Sequence, residues 1–237
     1  MEHVKPWELL GEANAPGGET LTLMRQDREF VILANGRPLM SSRMHGSEEA
    51  LAAFGCAHVR RADEPRVLVG GLGMGYTLAA TLGQLPLEAR VVVAELVPGV
   101  VEWNRGALGE CAGRPLKDRR VDVVVGDVLD TLAASREAFD AVLLDVDNGP
   151  DAFTSASNAA LYGDRGLAVI RASLRPGGVV AVWSAWEDRK FEQRLRAAGY
   201  SVRVERVRAR LKKGGPWHTI FLGTPSGSPV GRARERH

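Results

Sequence analysis

A glycine-rich turn and a carboxylate follow two neighbouring apolar segments of this sequence. The turn, residues 70–75, comes directly after the apolar stretch 66–69, and Glu95 ends the next apolar stretch, 91–94. Glycines allow the backbone to turn sharply and to approach a ligand closely. A carboxylate about 20 residues further on can accept hydrogen bonds from ribose hydroxyls. This order predicts a nucleotide-type ligand site at the edge of a parallel sheet.

Two further acids have the same relation to apolar segments. Asp127 follows the stretch 123–125 and Gly126, and Asp145 directly follows 141–144. The first can accept a hydrogen bond from an exocyclic amine such as that of adenine. Acids at three successive strand ends do not suit a pyrophosphate, but they do suit a ligand that has no phosphate and a positive charge.

The glycine loop by itself leaves several ligands open. A phosphate-binding P-loop is disfavoured because no Gly-Lys-Ser/Thr sequence follows. The spacing of Gly71, Gly73 and Gly75 is shorter than that of the dinucleotide fingerprint. A nicotinamide oxidoreductase therefore remains only a distant alternative, and the strand-end acids fit it poorly.

The elements that must position these residues alternate between strand and helix from residue 66 onward. The pattern predicts strands near 66–70, 90–95, 121–125, 140–145 and 178–183, and helices near 75–84, 97–108, 127–134, 158–173 and 187–198. Such alternation requires right-handed crossovers and gives a doubly wound α/β sheet. Ligands then bind beyond the carboxyl ends of the strands, where the loop and the acids fall.

The two ends of the chain have a different pattern. Alternating apolar residues and the turn dipeptide Asn35-Gly36 predict a small N-terminal β appendage, and Ser47 is the predicted N-cap of the helix that follows. Near the other end, runs 201–210 and 217–222 predict a closing antiparallel hairpin. We therefore divide the chain into a β region at 1–46, a Rossmann-like domain at 47–223 and a disordered tail at 224–237.

Composition narrows the class of protein. The 237 residues are 45% hydrophobic with a formal charge of +2, which suits a soluble globular protein. No apolar run is long enough for a membrane helix and no signal peptide is evident, so we expect a cytoplasmic protein without a membrane partner. The basic residues between 189 and 213 are interpreted as a solvated strand face, and we expect no nucleic acid. No residues have metal-ligand spacing, so no metal is expected.

The combination of loop, strand-end acids and terminal hairpin resembles the class I S-adenosylmethionine-dependent methyltransferase fold, over roughly residues 66–223. The resemblance implies a seven-stranded sheet of order 3-2-1-4-5-7-6 with the last strand antiparallel. It also implies cofactor-binding roles. The loop glycines Gly71, Gly73 and Gly75 line the methionine moiety of the cofactor, and Glu95 binds the ribose. Asp127 and Val128 bind the adenine, and Asp145 lies beside the sulfonium.

Within that fold the chain is most similar to the spermidine/spermine synthase group. The small N-terminal β region, the helix from Ser47, the acidic segment 145–150 and Leu161-Tyr162 carry this resemblance. It implies a transferase that moves an alkyl group from S-adenosylmethionine or its decarboxylated form to a small amine acceptor such as a polyamine. The products would be S-adenosylhomocysteine or methylthioadenosine, and by analogy the protein would be a homodimer.

The same resemblance implies the catalytic and acceptor residues. Asp145 is the first candidate for the proton-accepting base and Asp147 is the second, because an amine must lose a proton to attack. The implied acceptor contacts lie on the helix that closes over the site and after the fourth and fifth strands of the large sheet: His45, Glu48, Tyr162, Trp186 and Glu187.

The sequence also departs from the synthase group. Leu72 and Met74 stand in the loop where that group has small residues and an aspartate that helps bind the aminopropyl amine. Two alternatives therefore stay open. One is a methyltransferase that uses S-adenosylmethionine itself, and the other is a non-catalytic protein that binds adenosyl ligands.

Overall fold

The N-terminal part of the chain forms a small antiparallel sheet. The computed structural model describes residues 5–146, 160–210 and 214–227. The sheet has the order β1-β2-β3-β4, with strands β1 (Glu8–Asn14), β2 (Thr20–Gln26), β3 (Glu29–Ala34) and β4 (Arg37–Ser41). Asn35 and Gly36 both have positive φ, 48° and 76°, as a tight hairpin turn requires. The predicted β appendage is therefore observed.

A second sheet of seven strands carries the predicted topology. Its strands are β5 (Arg66–Gly70), β6 (Arg90–Glu95), β7 (Val121–Val125), β8 (Phe139–Leu144), β9 (Leu174–Ser184), β10 (Tyr200–Arg208) and β11 (Trp217–Pro225). Their order is β7-β6-β5-β8-β9-β11-β10, and β11 is antiparallel to both of its neighbours. The predicted order 3-2-1-4-5-7-6 with an antiparallel last strand is confirmed.

Six helices are described around this sheet. They are α1 (Gly46–Gly55), α2 (Tyr76–Gln84), α3 (Pro98–Arg105), α4 (Val128–Ala133), α5 (Asp164–Ser173) and α6 (Arg189–Ala197). The N-cap of α1 is His45. The prediction that Ser47 caps this helix is wrong, because Ser47 lies inside the first turn and is fully buried.

Two apolar layers sandwich the large sheet. Leu51 of α1 and Leu78 of α2 pack on one face with alternate strand residues such as Val69. Phe191 of α6 and the strand residue Leu144 pack on the other. Because both faces are covered, the central strands are nearly continuous apolar runs, which explains why their positions are readable from the sequence.

The small sheet packs against the part of the large domain that carries the glycine loop. Leu23 and Phe30 of the small sheet form one cluster with Met74 of the loop and Leu108. A Cβ atom on Gly99 of α3 would lie 2.4 Å from Cβ of Ala13 in β1, so glycine permits this close approach. The N-terminal sheet therefore supports the loop from outside.

The C-terminal strand extends slightly beyond the boundary predicted at residue 224. Thr224 and Pro225 pair with Ser201 and Tyr200 of β10, and residues 228–237 lie outside the described part of the chain. In the described ranges no helix combines the length and the apolar character needed to cross a membrane.

Candidate active site

The glycine loop leaves the sheet between two strand ends. The Gly71 amide donates to the Ala94 carbonyl at 2.9 Å, and the Asp145 amide donates to the Gly70 carbonyl at 2.8 Å. Gly71 has a φ of 87°, and a Cβ there would lie 2.2 Å from the Asp145 carbonyl oxygen. Only glycine satisfies both constraints. The loop is thus fixed against the segment that carries Asp145.

The other two loop glycines are held from the opposite side. Gly73 and Gly75 have φ of 50° and 85°, and a Cβ on Gly73 would lie 3.3 Å from the Met40 sulfur. The Asn104 amide group donates to the Gly73 carbonyl at 2.8 Å. β4 and α3 therefore fix the conformation of the loop.

Glu95 lies at the end of β6 and binds the backbone of two loops. Its two carboxylate oxygens accept from the Leu72 and Val97 amides, each at 2.9 Å. Removal from water raises the pKa of this buried carboxyl, while the hydrogen bonds from the backbone amides oppose that shift. The residue predicted to hold the ribose therefore also links the glycine loop to the β6–α3 turn.

Asp127 lies at the next strand end and caps α4. Its Oδ1 accepts from the Leu129 amide at 2.8 Å, which is the usual N-cap arrangement. Val128 is buried, and a Cβ atom on Gly70 would lie only 2.8 Å from Val128 Cγ2. Asp127 and Val128, which are predicted to bind the adenine, therefore lie at the carboxyl edge of the sheet. One carboxylate oxygen of Asp127 is used for the helix cap.

Asp145 lies at the end of β8 and is partly buried. Its Oδ2 accepts a short hydrogen bond from the hydroxyl of Thr77 in the first turn of α2. Removal from water raises the pKa of Asp145 to about 6, and the Thr77 bond opposes the shift. Near neutral pH this carboxyl is therefore a better proton acceptor than an exposed aspartate.

Glu48 of α1 lies in the electrostatic field of Asp145. Burial raises the pKa of Glu48 to about 7, and the negative charge of Asp145 adds to the shift. Ser47 donates its hydroxyl to Glu48 Oε2 at 2.6 Å. The structure thus brings together two predicted site residues from distant parts of the sequence, and it adds Ser47 and Thr77 to them.

His45, the N-cap residue of α1, contacts Tyr76 and Glu49. Its ring stacks on Tyr76 with centroids 4.3 Å apart, and its Nδ1 lies 2.6 Å from Glu49 Oε1. The Tyr76 hydroxyl donates to the Ser42 carbonyl at 3.1 Å. The predicted acceptor contact is therefore part of a layer that joins α1 and α2.

The structure places three further predicted residues, Tyr162, Trp186 and Glu187, away from Glu48 and Ser47. Tyr162 is 1% exposed and packs edge-on against Phe191 in the core on the other face of the sheet. Trp186 and Glu187 follow β9 and are exposed, and Glu187 lies 3.8 Å from Arg189. Asp147, the second catalytic candidate, lies outside the described residues.

Sequence reasoning missed three polar residues of this site. Thr77 follows the last loop glycine by two positions, and this spacing is a local signal that could have indicated it. Ser47 was predicted to be a helix cap. His218, whose Nδ1 lies 2.8 Å from the Ser47 hydroxyl, lies in the run 217–222 that was predicted as a strand of the closing hairpin. Their contact spans 171 residues, so no local pattern could reveal it. In the described part of the chain, no three His, Cys, Asp or Glu residues cluster as metal ligands would.

Comparison with known proteins finds relatives by sequence and by structure. No protein-family model matches the chain. The chain is 34% identical over 125 residues to polyamine aminopropyltransferase 2 of Pseudomonas aeruginosa, a match that covers 51% of this chain and 34% of that relative. The chain thus spans about a third of the length of this curated relative.

Solved structures match over most of the chain. A spermidine synthase from Thermotoga maritima superposes with a TM-score of 0.71 at 17% identity, covering 91% of this chain and 72% of that one. A spermidine synthase in complex with the transition-state analogue AdoDATO gives 0.69 at 16% identity, with the same coverage. This chain has a spermidine synthase-like fold. A probable spermidine synthase from Corynebacterium glutamicum gives 0.62 at 17% identity over 90% of this chain and 79% of that one.

The spermidine synthase-like fold confirms the resemblance drawn from the loop and the strand-end acids. The superposed structures cover 91% of this chain, which includes most of both sheets. The assigned residue roles, the homodimer and the cytoplasmic location stay predictions.

Proposed function

We propose that this chain transfers an aminopropyl group from an adenosyl-sulfonium donor, decarboxylated S-adenosylmethionine, to a small amine acceptor of the polyamine class. The observation that carries the proposal is the pair of carboxylates, Glu48 and Asp145, beside the glycine loop. The name of the curated relative, a polyamine aminopropyltransferase, supports the same reaction.

The residues at the sheet edge fit such a donor. Glu95 would bind the ribose, Asp127 with Val128 the adenine, and the loop glycines would line the chain attached to sulfur. All of these groups are neutral or anionic, which suits a cationic ligand that has no phosphate. The bound donor supplies an electrophilic carbon next to a positively charged sulfur.

The reaction then requires a neutral amine aligned with that carbon. The amine nitrogen forms a bond to the carbon as the carbon–sulfur bond breaks, and the electron pair of the broken bond stays on sulfur, which becomes a neutral thioether. The proton leaving the nitrogen goes to a carboxylate. Asp145 and Glu48 suit this step because their raised pKa values lie close to neutral pH. Their negative charge also attracts a polyamine, which carries several positive charges.

Methyl transfer from S-adenosylmethionine is the second candidate. Leu72 and Met74 are 3% and 4% exposed, so the loop side chains at these positions are apolar and turned into the protein. The loop therefore offers no carboxylate at these two positions to an aminopropyl amine, and this observation favours a donor of another shape.

A matrix of donors and acceptors tests the proposal. Purified protein is incubated with decarboxylated S-adenosylmethionine or S-adenosylmethionine, each with putrescine, spermidine or a panel of methyl acceptors, and products are measured by mass spectrometry. We expect methylthioadenosine and an aminopropylated amine from the first donor. Turnover with S-adenosylmethionine but not with its decarboxylated form would replace the proposal with methyl transfer. Binding of either donor without turnover would indicate the non-catalytic alternative.

A further inference from the structure

A chain of hydrogen bonds leads from the carboxylate pair to a histidine on another element. His218 Nδ1 of β11 lies 2.8 Å from Ser47 Oγ of α1, and Ser47 Oγ donates to Glu48 Oε2 at 2.6 Å. A serine hydroxyl has a single proton to donate. When Glu48 is ionised, that proton is directed to Glu48, so Ser47 accepts from His218 and neutral His218 carries its proton on Nδ1.

The surroundings hold these groups in place. Ser47 is fully buried. The His218 ring packs edge-on against Trp183 of β9, with centroids 4.7 Å apart. Burial lowers the pKa of His218, so the ring is neutral at neutral pH and acts as a donor without adding charge. Arg206 and Arg208 of β10 stack on Trp217, which precedes His218 in the strand and therefore faces the other side of the sheet.

We propose that His218 is a positioning residue of the active site, which acts through Ser47 to orient the Glu48 carboxylate so that it shares the acceptor's proton with Asp145. The inference rests on the proposed function for the reaction that it serves, while the hydrogen-bond chain itself is a property of the protein without substrate. In this proposal His218 and Ser47 act through Glu48 and not directly on the donor or the acceptor.

The charges around Glu48 determine how its pKa would change if the hydrogen bonds from His218 through Ser47 were lost. Asp145 of β8 and Glu49 of α1 raise the pKa of Glu48, and the Ser47 hydrogen bond lowers it. Tyr76 of α2 also faces this group, because Glu48 contributes to the raised pKa of its hydroxyl. Without the Ser47 bond the pKa of Glu48 rises further. A smaller fraction of Glu48 is then ionised at pH 7, and the rate falls until the pH is raised.

The first test needs no substrate. Ring ¹⁵N NMR of histidine-labelled protein, with His218 assigned from the His218→Asn spectrum, reports which ring nitrogen carries the proton. We expect Nδ1–H in the wild type and a shift of the tautomer equilibrium in Ser47→Ala. A neutral His218 protonated on Nε2 in the wild type would overturn the proposal, because Ser47 could then not hold Glu48 as described.

The second test follows the pH profile of kcat/KM in the assay that shows turnover. His218→Phe keeps an aromatic ring against Trp183 but removes the donor, and His218→Asn can restore a donor near the Nδ1 position. We expect His218→Phe and Ser47→Ala to lower kcat/KM at pH 7 by about tenfold or more, part of the 10²–10⁴-fold typical of a positioned base. In both variants the acid limb of the profile, where kcat/KM rises with pH, should move to higher pH. His218→Asn should recover most of the wild-type kcat/KM.

Matched controls separate positioning from folding. Ser173→Ala removes another fully buried serine hydroxyl, bonded at 2.8 Å to the Ile170 carbonyl of α5, and His58→Phe removes a histidine that contacts the Asp140 carbonyl. Neither should move the acid limb. An acid limb unchanged in His218→Phe and Ser47→Ala would overturn the proposal even if both variants were slower. A wild-type protein without turnover would overturn the proposed function. The NMR result would still show whether His218 donates to Ser47.

Discussion

The backbone carbonyl of Asp145 occupies the space beside Gly71, where a Cβ atom would lie only 2.2 Å from the carbonyl oxygen. The first loop glycine and the first candidate base are therefore fixed relative to each other by backbone contact. The geometry of the site depends on this contact before any side chain is considered.

Gly71→Ala should therefore disrupt the site. The variant combines a backbone clash with a φ of 87°, which alanine adopts only with strain, so we expect a lower Tm and loss of methylthioadenosine binding by calorimetry. Gly83→Ala is the matched control, because nothing lies within 4 Å of its Cβ position in α2. It should stabilise the protein by about 0.5–1 kcal/mol. Normal ligand binding by Gly71→Ala would contradict this account of the loop.

Glu95→Gln should weaken adenosyl binding. The amide keeps the size of the side chain but loses the charge that strengthens its hydrogen bonds, and one charge-assisted bond is worth about 1.5–3 kcal/mol, or roughly 10- to 150-fold in Kd. Calorimetry with methylthioadenosine measures the change. Glu102→Gln, at an exposed ion pair with Arg105 on α3, should bind as the wild type does. Equal affinities in the two variants would contradict the ribose-binding role of Glu95.

Asp145→Asn should abolish group transfer with little loss of donor binding. The side chains are nearly isosteric, and the amide oxygen can still accept from Thr77, but the amide cannot take the acceptor's proton. We expect a fall of about 10²–10⁴-fold in kcat, measured in whichever donor assay shows turnover. Asp164→Asn, at an exposed position in the first turn of α5, should keep full activity. Full activity in Asp145→Asn would leave Glu48 or Asp147 as the base.

The stability of the protein should depend on the Glu48 proton. The folded state raises the pKa of Glu48 from its ordinary value of 4.5 to about 7, so folding favours the protonated form. The stability that the protonated Glu48 contributes to the folded state is fully present below pH 4.5 and is lost as the pH rises through 7. Glu48→Gln mimics the protonated form, and its Tm relative to the wild type should therefore rise between pH 5 and pH 8.5.

Thermal unfolding over that pH range provides the measurement. Glu64→Gln, an exposed acid before β5, should show a constant difference from the wild type. A Glu48→Gln difference that does not change with pH would mean that Glu48 is not buried beside Asp145 in solution.

Much of the fold was predictable because its signals are local. The central strands β5, β6 and β8 are apolar runs that end in, or directly precede, glycine or an acid, and covering both faces of a sheet requires such runs. The Asn35-Gly36 turn follows from the positive φ that both residues tolerate. Glu95, Asp127 and Asp145 were found for the same reason, since a parallel sheet brings its strand ends to one edge.

The tertiary structure alone decided which polar side chains meet there. Packing of α1 against the large sheet buries Ser47, so the residue that looked like a helix cap becomes a link between His218 and Glu48. Tyr162 packs edge-on against Phe191 in the core on the other face of the sheet, a contact that its sequence position does not reveal. Sequence spacing determines where a side chain leaves its own strand or helix. Contacts between elements, such as the one across the 171 residues from Ser47 to His218, depend on how whole surfaces pack.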